Sequence, residues 1–483
     1  MNEGPGGFMN RDEKQTREPQ NARDEENSRL SRRVARYARV GAALGGIAAR
    51  VGGARIVGRG DREAEARALR EALGNLKGPL MKVAQLLSTV PDVLPPEYAA
   101  ELAKLQSNAP PMGRPFVRRR MAAELGPDWR EKFAEFDLDA AAAASLGQVH
   151  KARAHDGRLL AVKLQYPDMA SAVEADLAQL KVIFAIHRRL DPAIDTREVL
   201  KEITERLREE LDYERELKHM KLYRHMLADN PLVHVPEPIE ALSTRRLLTM
   251  TWLEGKGLLT YRDAPEDVRN RLAEMLFRAW WEPFYAYAVI HGDPHLGNYA
   301  AREEKGEVTG LNLLDFGCIR IFPPHLVGGV VELYHGLKEG DLDRCAHAYD
   351  IWGFKGLNRE LIEILNIWAR FIYGPVLEDR VRTMADGVDP IQFGRQEAFK
   401  VHRLLREKGP VTIPREFVFM DRAAIGLGAV FIHLGARLNF HRLFMSAMSR
   451  KPADKIAERQ KEALIQAGLL PRQEKKQGED KTS

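Results

Sequence analysis

Cysteine is almost missing from this chain: Cys318 and Cys345 are the two cysteines in 483 residues. They form no CxxC pair and no metal-ligand spacing, which excludes a disulfide-stapled secreted scaffold and a zinc ribbon and fits a reducing cytosol. Cys318 is expected as a small buried side chain. A long apolar run is also lacking. A spanning helix needs ~20 apolar residues, and the late stretch Ala423 to Ala436 is shorter and interrupted by His433, for which a packing role is expected. No transmembrane segment is predicted. The first thirty residues are polar and Val40–Ala49 is short and glycine-rich, so no secretory leader is predicted either. Excess charge of one sign is absent as well. The net charge is +5, from 74 basic and 69 acidic residues, and gives no general reason to expect a nucleic-acid partner. No internal repeat is found. What is present is ordinary for a globular chain, 44% hydrophobic and 30% charged, and long enough for two lobes and an appendage.

The informative stretch runs from His291 to Gly317. It holds His291-Gly292-Asp293-Pro294-His295-Leu296-Gly297-Asn298, then Leu313-Leu314-Asp315-Phe316-Gly317. An acid, an amide five residues later and a second acid ahead of Phe-Gly match the polar set of kinase-like phosphotransferases. In that set the first acid, Asp293, orients or deprotonates an acceptor hydroxyl. Asn298 and Asp315 hold magnesium, a hard cation shared between oxygen ligands and the phosphates of ATP. Leu311 to Leu314 is expected as a short strand feeding Asp315.

Upstream, Leu159 to Gln165 is an apolar run with Lys163 embedded, as in a small-lobe strand whose lysine meets the phosphates. Ala140 to Ala144 and Ser145-Leu146-Gly147-Gln148 stand where a glycine-rich phosphate loop is expected. Ala143, Ala144 and Ser145 are the candidate backbone contacts, stiffer than glycines. A helix start is the competing reading of this alanine run. Glu198 to Met226 is the strongest helical pattern, with Val199, Ile203, Leu207 and Leu211 at helical spacing. Among its acids, Glu216 is the expected partner of Lys163. Arg246 to Trp252 reads as a strand leading to the adenine hinge, with Met250 and Trp252 flanking it. Pro265 to Val289 is a long helix whose Leu272, Leu276, Trp280 and Phe284 form a core stripe.

The N-terminal side is organised differently. Residues 1–28 are polar and expected to be disordered. Between 29 and 59 lie eight arginines and no acid, interleaved with Val, Ala, Leu and Ile. This arm suits an anionic membrane surface or another acidic partner. Residues 61–130 read as a helical extension. In it, Lys82 and Gln85 are spaced i,i+3 and share a helix face. Residues 131–255 are expected as a small lobe, 256–448 as a mainly helical large lobe, and 449–483 as a helix followed by a disordered tail.

Taken together, the chain resembles the UbiB/AarF/ADCK family of atypical kinases from roughly Ala66 to Phe444. Lys82-Val83-Ala84-Gln85 is similar to the family's KxGQ motif, Ala140–Gln148 to its alanine-rich loop, Glu210-Leu211-Asp212 to its ExD motif, and His291–Asn298 to its HxDPHPGN loop. Ala84 and Leu296 depart from the usual Gly and Pro. The resemblance implies an α+β, bilobal protein-kinase-like fold with the N-terminal helical extension packed over the small lobe. It implies Lys163 and Glu216 as the nucleotide-positioning pair, and Lys82, Gln85, Glu210 and Asp212 as a regulatory group over the active site. It further implies magnesium-dependent ATP hydrolysis or phosphoryl transfer to a small or lipid-like acceptor, in ubiquinone or isoprenoid-lipid metabolism. The expected location is cytoplasmic, peripheral to a membrane, with a lipid or quinone precursor as a further ligand. The alternatives are a nucleotide-gated lipid-binding scaffold with little chemistry, and a Ser/Thr protein kinase.

Overall fold

The computed structural model describes residues 112–144, 146–167, 197–385, 414–449 and 453–471, with isolated positions among 169–181 and 401–411. The arginine arm, Lys82, Gln85 and Ser145 lie outside the described residues. Residues 108–483 form one compact unit.

The small lobe begins with α1 (Arg114–Leu125), opened by Pro115 in its first turn, where a missing N–H costs nothing. Its buried Val117 and Met121, four apart, pack with Trp129 and Phe133 onto Leu160, Val162 and Leu164. α1 falls within the stretch read as the N-terminal extension, and its Val117 and Met121 side chains lie in the core of the small-lobe sheet. That sheet starts with β1 (Glu135–Ala144), β2 (Gly147–Arg153) and β3 (Leu159–Gln165). Burial alternates along β2, as a half-buried strand requires. The alanine run is strand and not a helix start: Ala144 pairs with Gly147 across a hairpin tip.

Two helices follow, α2 (Arg197–Glu210) and α3 (Tyr213–Met226), where periodicity suggested one. Asp212 ends the continuity. It leaves helical geometry (φ −106°, ψ 89°), and its carboxylate accepts a hydrogen bond from the Arg215 N–H. A carboxylate satisfying an orphan N–H in a first turn is a strong N-cap. After β4 (Val233–His234), β5 (Leu247–Thr251) completes the antiparallel sheet in the order β1-β2-β3-β5.

The large lobe contains β6 (Lys256–Gly257), then the 22-residue α4 (Glu266–Tyr287). Leu272, Leu276, Trp280 and Phe284 of α4 are fully buried and anchor the main core. The helix stops at Ala288, a left-handed residue (φ 53°), and enters β7 (Val289–His291). Strands β8 (Tyr299–Glu304) and β9 (Glu307–Leu313) form a hairpin, giving a second sheet in the order β4-β9-β8-β6. Next, β10 (Ile319–Ile321) pairs with β7. These pairings bring the ends of β7 and β9, which carry the two motifs, side by side.

Helices α5 (His325–Glu339), α6 (Leu342–Ile351) and α7 (Arg359–Leu377) follow, then β11 (Arg382–Thr383). Next come α8 (Arg415–Leu434), β12 (Arg437–Leu438), α9 (Phe440–Ser449) and α10 (Ile456–Gln466). Among the described residues, α8 alone is long and apolar enough to cross a membrane, with a mean hydropathy of 1.6. The expectation of no such segment counted only from Ala423, whereas the helix starts at Arg415 and includes Phe417, Phe419 and Met420. Its Ala423, Leu427, Phe431 and Leu434 are buried in the large-lobe core. His433 is exposed instead of packed, with Nδ1 2.7 Å from the Ala429 carbonyl one turn earlier.

Candidate nucleotide site between the lobes

The site is built around the Lys163 ammonium. β3 is held on both sides by β2 and β5, so the lysine backbone has little freedom. Nζ lies 2.8 and 3.0 Å from the two oxygens of Glu216 on α3, and 3.2 Å from Asp315 Oδ2. Residues 53 and 152 positions away in sequence thus meet on one cation. The Lys163 and Glu216 side chains are 12% and 3% exposed, and Asp315 is 35% exposed, facing the open side.

Burial opposes the Lys163 charge, but the carboxylates of Asp315 and Glu216 outweigh it and hold the ammonium well above its usual range. Burial raises the Glu216 carboxyl, and Lys163 opposes that rise. The two directions pull apart at one contact. A raised lysine needs a charged carboxylate beside it, and the bidentate geometry decides for the ionised pair.

Asp315 is further set by the N–H of Gly317, which donates to its Oδ1 at 2.9 Å. The catalytic-loop candidate is fastened to the same segment. His291 Nε2 donates to the Asp315 carbonyl at 2.5 Å, while its Nδ1 accepts from the Asp293 N–H at 3.4 Å. This leaves one ring proton and a neutral imidazole, consistent with burial lowering the His291 pKa. Rings of Tyr223, Trp280, Tyr299 and Phe316 surround it. The Gly292 N–H donates to the Cys318 carbonyl at 3.0 Å, and a Cβ at Gly292 would lie 2.3 Å from that oxygen, so glycine is required there.

The Asp293 carbonyl receives two hydrogen bonds of 3.2 Å, from Asn298 Nδ2 and from the Tyr299 hydroxyl, itself bonded by Trp280 Nε1 at 3.0 Å. Asn298 spends its amide nitrogen on the loop, leaving Oδ1 as the atom able to ligate a cation. Among the described residues no three His, Cys, Asp or Glu side chains group as a metal site by themselves.

The remaining candidates sit around this centre. Glu210 lies behind the Asp-Phe-Gly turn, 3.8 Å from Cys318 Sγ. Asp212 is the α3 cap described above. Ala143 is exposed near the β1–β2 hairpin tip. At the hinge, the Trp252 N–H is taken by the Leu159 carbonyl at 2.8 Å, and Met250 is buried on β5 opposite Ala161. The Trp252 N–H and the Met250 strand position thus belong to the sheet, while Asn312 Nδ2 braces the hinge through the Glu254 carbonyl at 2.8 Å.

Three residues escaped the sequence reading. The Tyr213 ring lies 5.0 Å from Lys163 Nζ, and its buried hydroxyl has no partner among the described residues. His219 Nδ1 donates to the Phe316 carbonyl at 3.1 Å and props the Asp-Phe-Gly turn from α3. Tyr299 pins the catalytic loop from β8. Only Tyr299 carried a signal, being adjacent to Asn298; the other two are ordinary letters in a helical pattern.

A two-lobed α+β fold, with a strand lysine paired to a helix glutamate and two polar loops meeting below it, defines a kinase-like phosphotransferase or ATPase. Residues 104–349 match the ABC1 atypical kinase-like domain. The chain belongs to the UbiB/AarF/ADCK family of atypical kinases. It is 29% identical over 389 residues to the mitochondrial atypical kinase coq-8 of Caenorhabditis elegans, covering 79% of this chain and 50% of that one. It is 31% identical over 248 residues to the mitochondrial atypical kinase COQ8 of Saccharomyces cerevisiae, covering 51% and 49%. In each case the match spans about half of the relative's length. Among solved structures, that of Rv3197 from Mycobacterium tuberculosis in complex with erythromycin aligns with a TM-score of 0.56 and 25% identity, over 81% of this chain and 98% of that one.

Proposed function

We propose that this protein binds magnesium ATP between its lobes and hydrolyses it or passes the γ-phosphoryl group to a small, lipid-like acceptor. The observation that carries the reading is the shared contact of Lys163 with Glu216 and Asp315. A lysine so held is ready to bind phosphate oxygens without reorganising, the condition under which electrostatic stabilisation is largest. The orphaned Tyr213 hydroxyl next to it fits a phosphate-bearing ligand. Asp315 and Asn298 Oδ1 are hard oxygen donors suited to magnesium, which when bound supplies charge neutralisation at the phosphates. Asp293, its main chain pinned by Asn298 and Tyr299, orients the acceptor hydroxyl or water and takes its proton.

The proposal places this activity in ubiquinone metabolism, in line with the COQ8 names of the relatives, and adds an isoprenoid-quinone precursor as the acceptor or effector and a membrane surface as the place of work. The Lys82–Gln85 motif and the Glu210–Asp212 motif are each proposed to restrain turnover. Turnover of purified protein with magnesium ATP, with and without liposomes and a quinone-precursor mimic, tests this reading. Asp315→Asn should reduce turnover at least about 100-fold, the scale of losing one electrostatic group from such a site, with an unchanged circular dichroism spectrum. Equal turnover in variant and parent rejects the assignment.

A further inference from the structure

The large lobe contains a cavity that shares no residue with the Lys163 site. Its volume is about 110 Å³, and helices α4, α5, α7, α8 and α9 contribute to its walls. The walls are mostly aromatic and aliphatic; Trp281, Tyr285, Trp352, Trp368, Tyr373 and Phe417 are among them. A space of this order takes one ring or a short alkyl chain, since a dry cavity of about 150 Å³ accepts benzene.

One lining side chain does not belong in such surroundings. Asp421, on α8, is the single charged residue among the described residues lining the cavity. Its hydrogen-bond donor among the described residues is Trp368 Nε1, at 3.0 Å from Oδ1. Among the described residues there is no salt bridge to Asp421 and no Lys, Arg or His lining the cavity. Asp421 is half-buried, and the desolvation it suffers pushes its carboxyl up to about 7, against the Trp368 bond, which favours ionisation. An ionised carboxylate among aromatic walls calls for a cation, and the faces of Trp and Tyr attract one too. A neutral apolar ligand would leave the carboxylate uncompensated, and an anion would be repelled.

We propose that this cavity binds an apolar amine, with the ammonium against Asp421 and the aryl or alkyl body against the aromatic walls. Because Asp421 must be ionised to pair with the ammonium, binding strengthens as pH rises through neutrality. Among the described residues, the other titratable groups lining the cavity are Tyr285 of α4 and Tyr373 of α7, both with phenols raised by burial and therefore neutral over the range that matters. The pH response therefore belongs to Asp421.

Three of the wall residues are tryptophans, so intrinsic fluorescence of the full chain reports occupancy. The probes are benzylamine and its uncharged counterpart benzyl alcohol, each titrated at pH 6 and pH 8. The amine should bind at least about tenfold more tightly than the alcohol at pH 8. It should weaken about tenfold at pH 6, following ionisation of one acid with a pKa near 7. Asp421→Asn should bind the two probes alike at both pH values, and Ala424→Leu, which narrows the cavity, should weaken both. Equal affinity of the parent for amine and alcohol at pH 8 overturns the proposal. So does discrimination that survives in Asp421→Asn, absence of binding by either probe, or unaltered binding in Ala424→Leu. The parent comparison needs no variant, and none of these readouts depends on ATP turnover, so failure here leaves the nucleotide assignment standing.

Discussion

One ammonium joins the two lobes. Lys163 comes from the small-lobe sheet and Asp315 from the turn after β9, and nothing but the folded state brings them within 3.2 Å. Removing one member of a buried ion pair strands the other without compensation, at a cost of about 3–5 kcal/mol. Lys163→Met should therefore lower unfolding stability by about 3 kcal/mol, with Glu216→Gln in the same background recovering part of the loss. Urea denaturation of the two single variants and the double variant measures this; strictly additive losses would mean that the pair does not interact. Asp421 leads to a prediction of opposite sense. Its folded carboxyl holds a proton up to about pH 7, whereas an unfolded aspartate releases it near 4. Between those values the native state binds more protons, so this group's contribution to stability falls as pH rises. Asp421→Asn should raise the melting temperature at pH 8 and change it little at pH 4 to 5. A shift of equal size at both ends would show that the acid is not titrating in its cavity.

At the scale of elements, α8 connects the cavity to the chemistry. Its Gly426 lies against the catalytic loop, and a Cβ there would be 2.2 Å from Pro294 Cγ. A proline ring cannot step aside as a flexible side-chain end would. Gly426→Ala should displace the loop that carries Asp293, lowering ATP turnover at least about tenfold, because sub-ångström placement governs such steps, and costing about 1–3 kcal/mol of stability by overpacking. Unchanged kcat and unchanged stability together would show that the loop yields freely. Several elements were legible beforehand. The β3 run around Lys163, the α4 stripe and the short strand before Asp315 each write their environment in local periodicity. The break between α2 and α3 was not legible, because Asp212 interrupts an apolar spacing that continues on both sides. Its effect as a cap appears only once the chain has turned. The paired strands β7 and β10 were also invisible, being three residues each and defined by one another.

At the scale of the molecule, the two lobes close on a cleft and the N-terminal third carries a charge pattern of its own. The eight arginines between 29 and 59, with no acid among them, predict attachment to anionic bilayers. Deleting residues 29–59 should abolish flotation with vesicles containing phosphatidylserine at low salt and leave ATP turnover in solution unchanged. Flotation that persists would remove the arm from the membrane proposal.

By itself the sequence determined the family and the bilobal fold, and it offered the candidate polar residues of the cleft. Short motifs hold their chemistry at fixed spacing, and strand and helix periods report which face is buried. Tertiary structure alone decided that Asp212 serves as a cap, that Tyr213 and His219 stand behind the site, and that Asp421 lies in an aromatic cavity. Those facts arise where residues distant in the chain meet, and no local pattern encodes the dielectric or the neighbours that such a meeting creates.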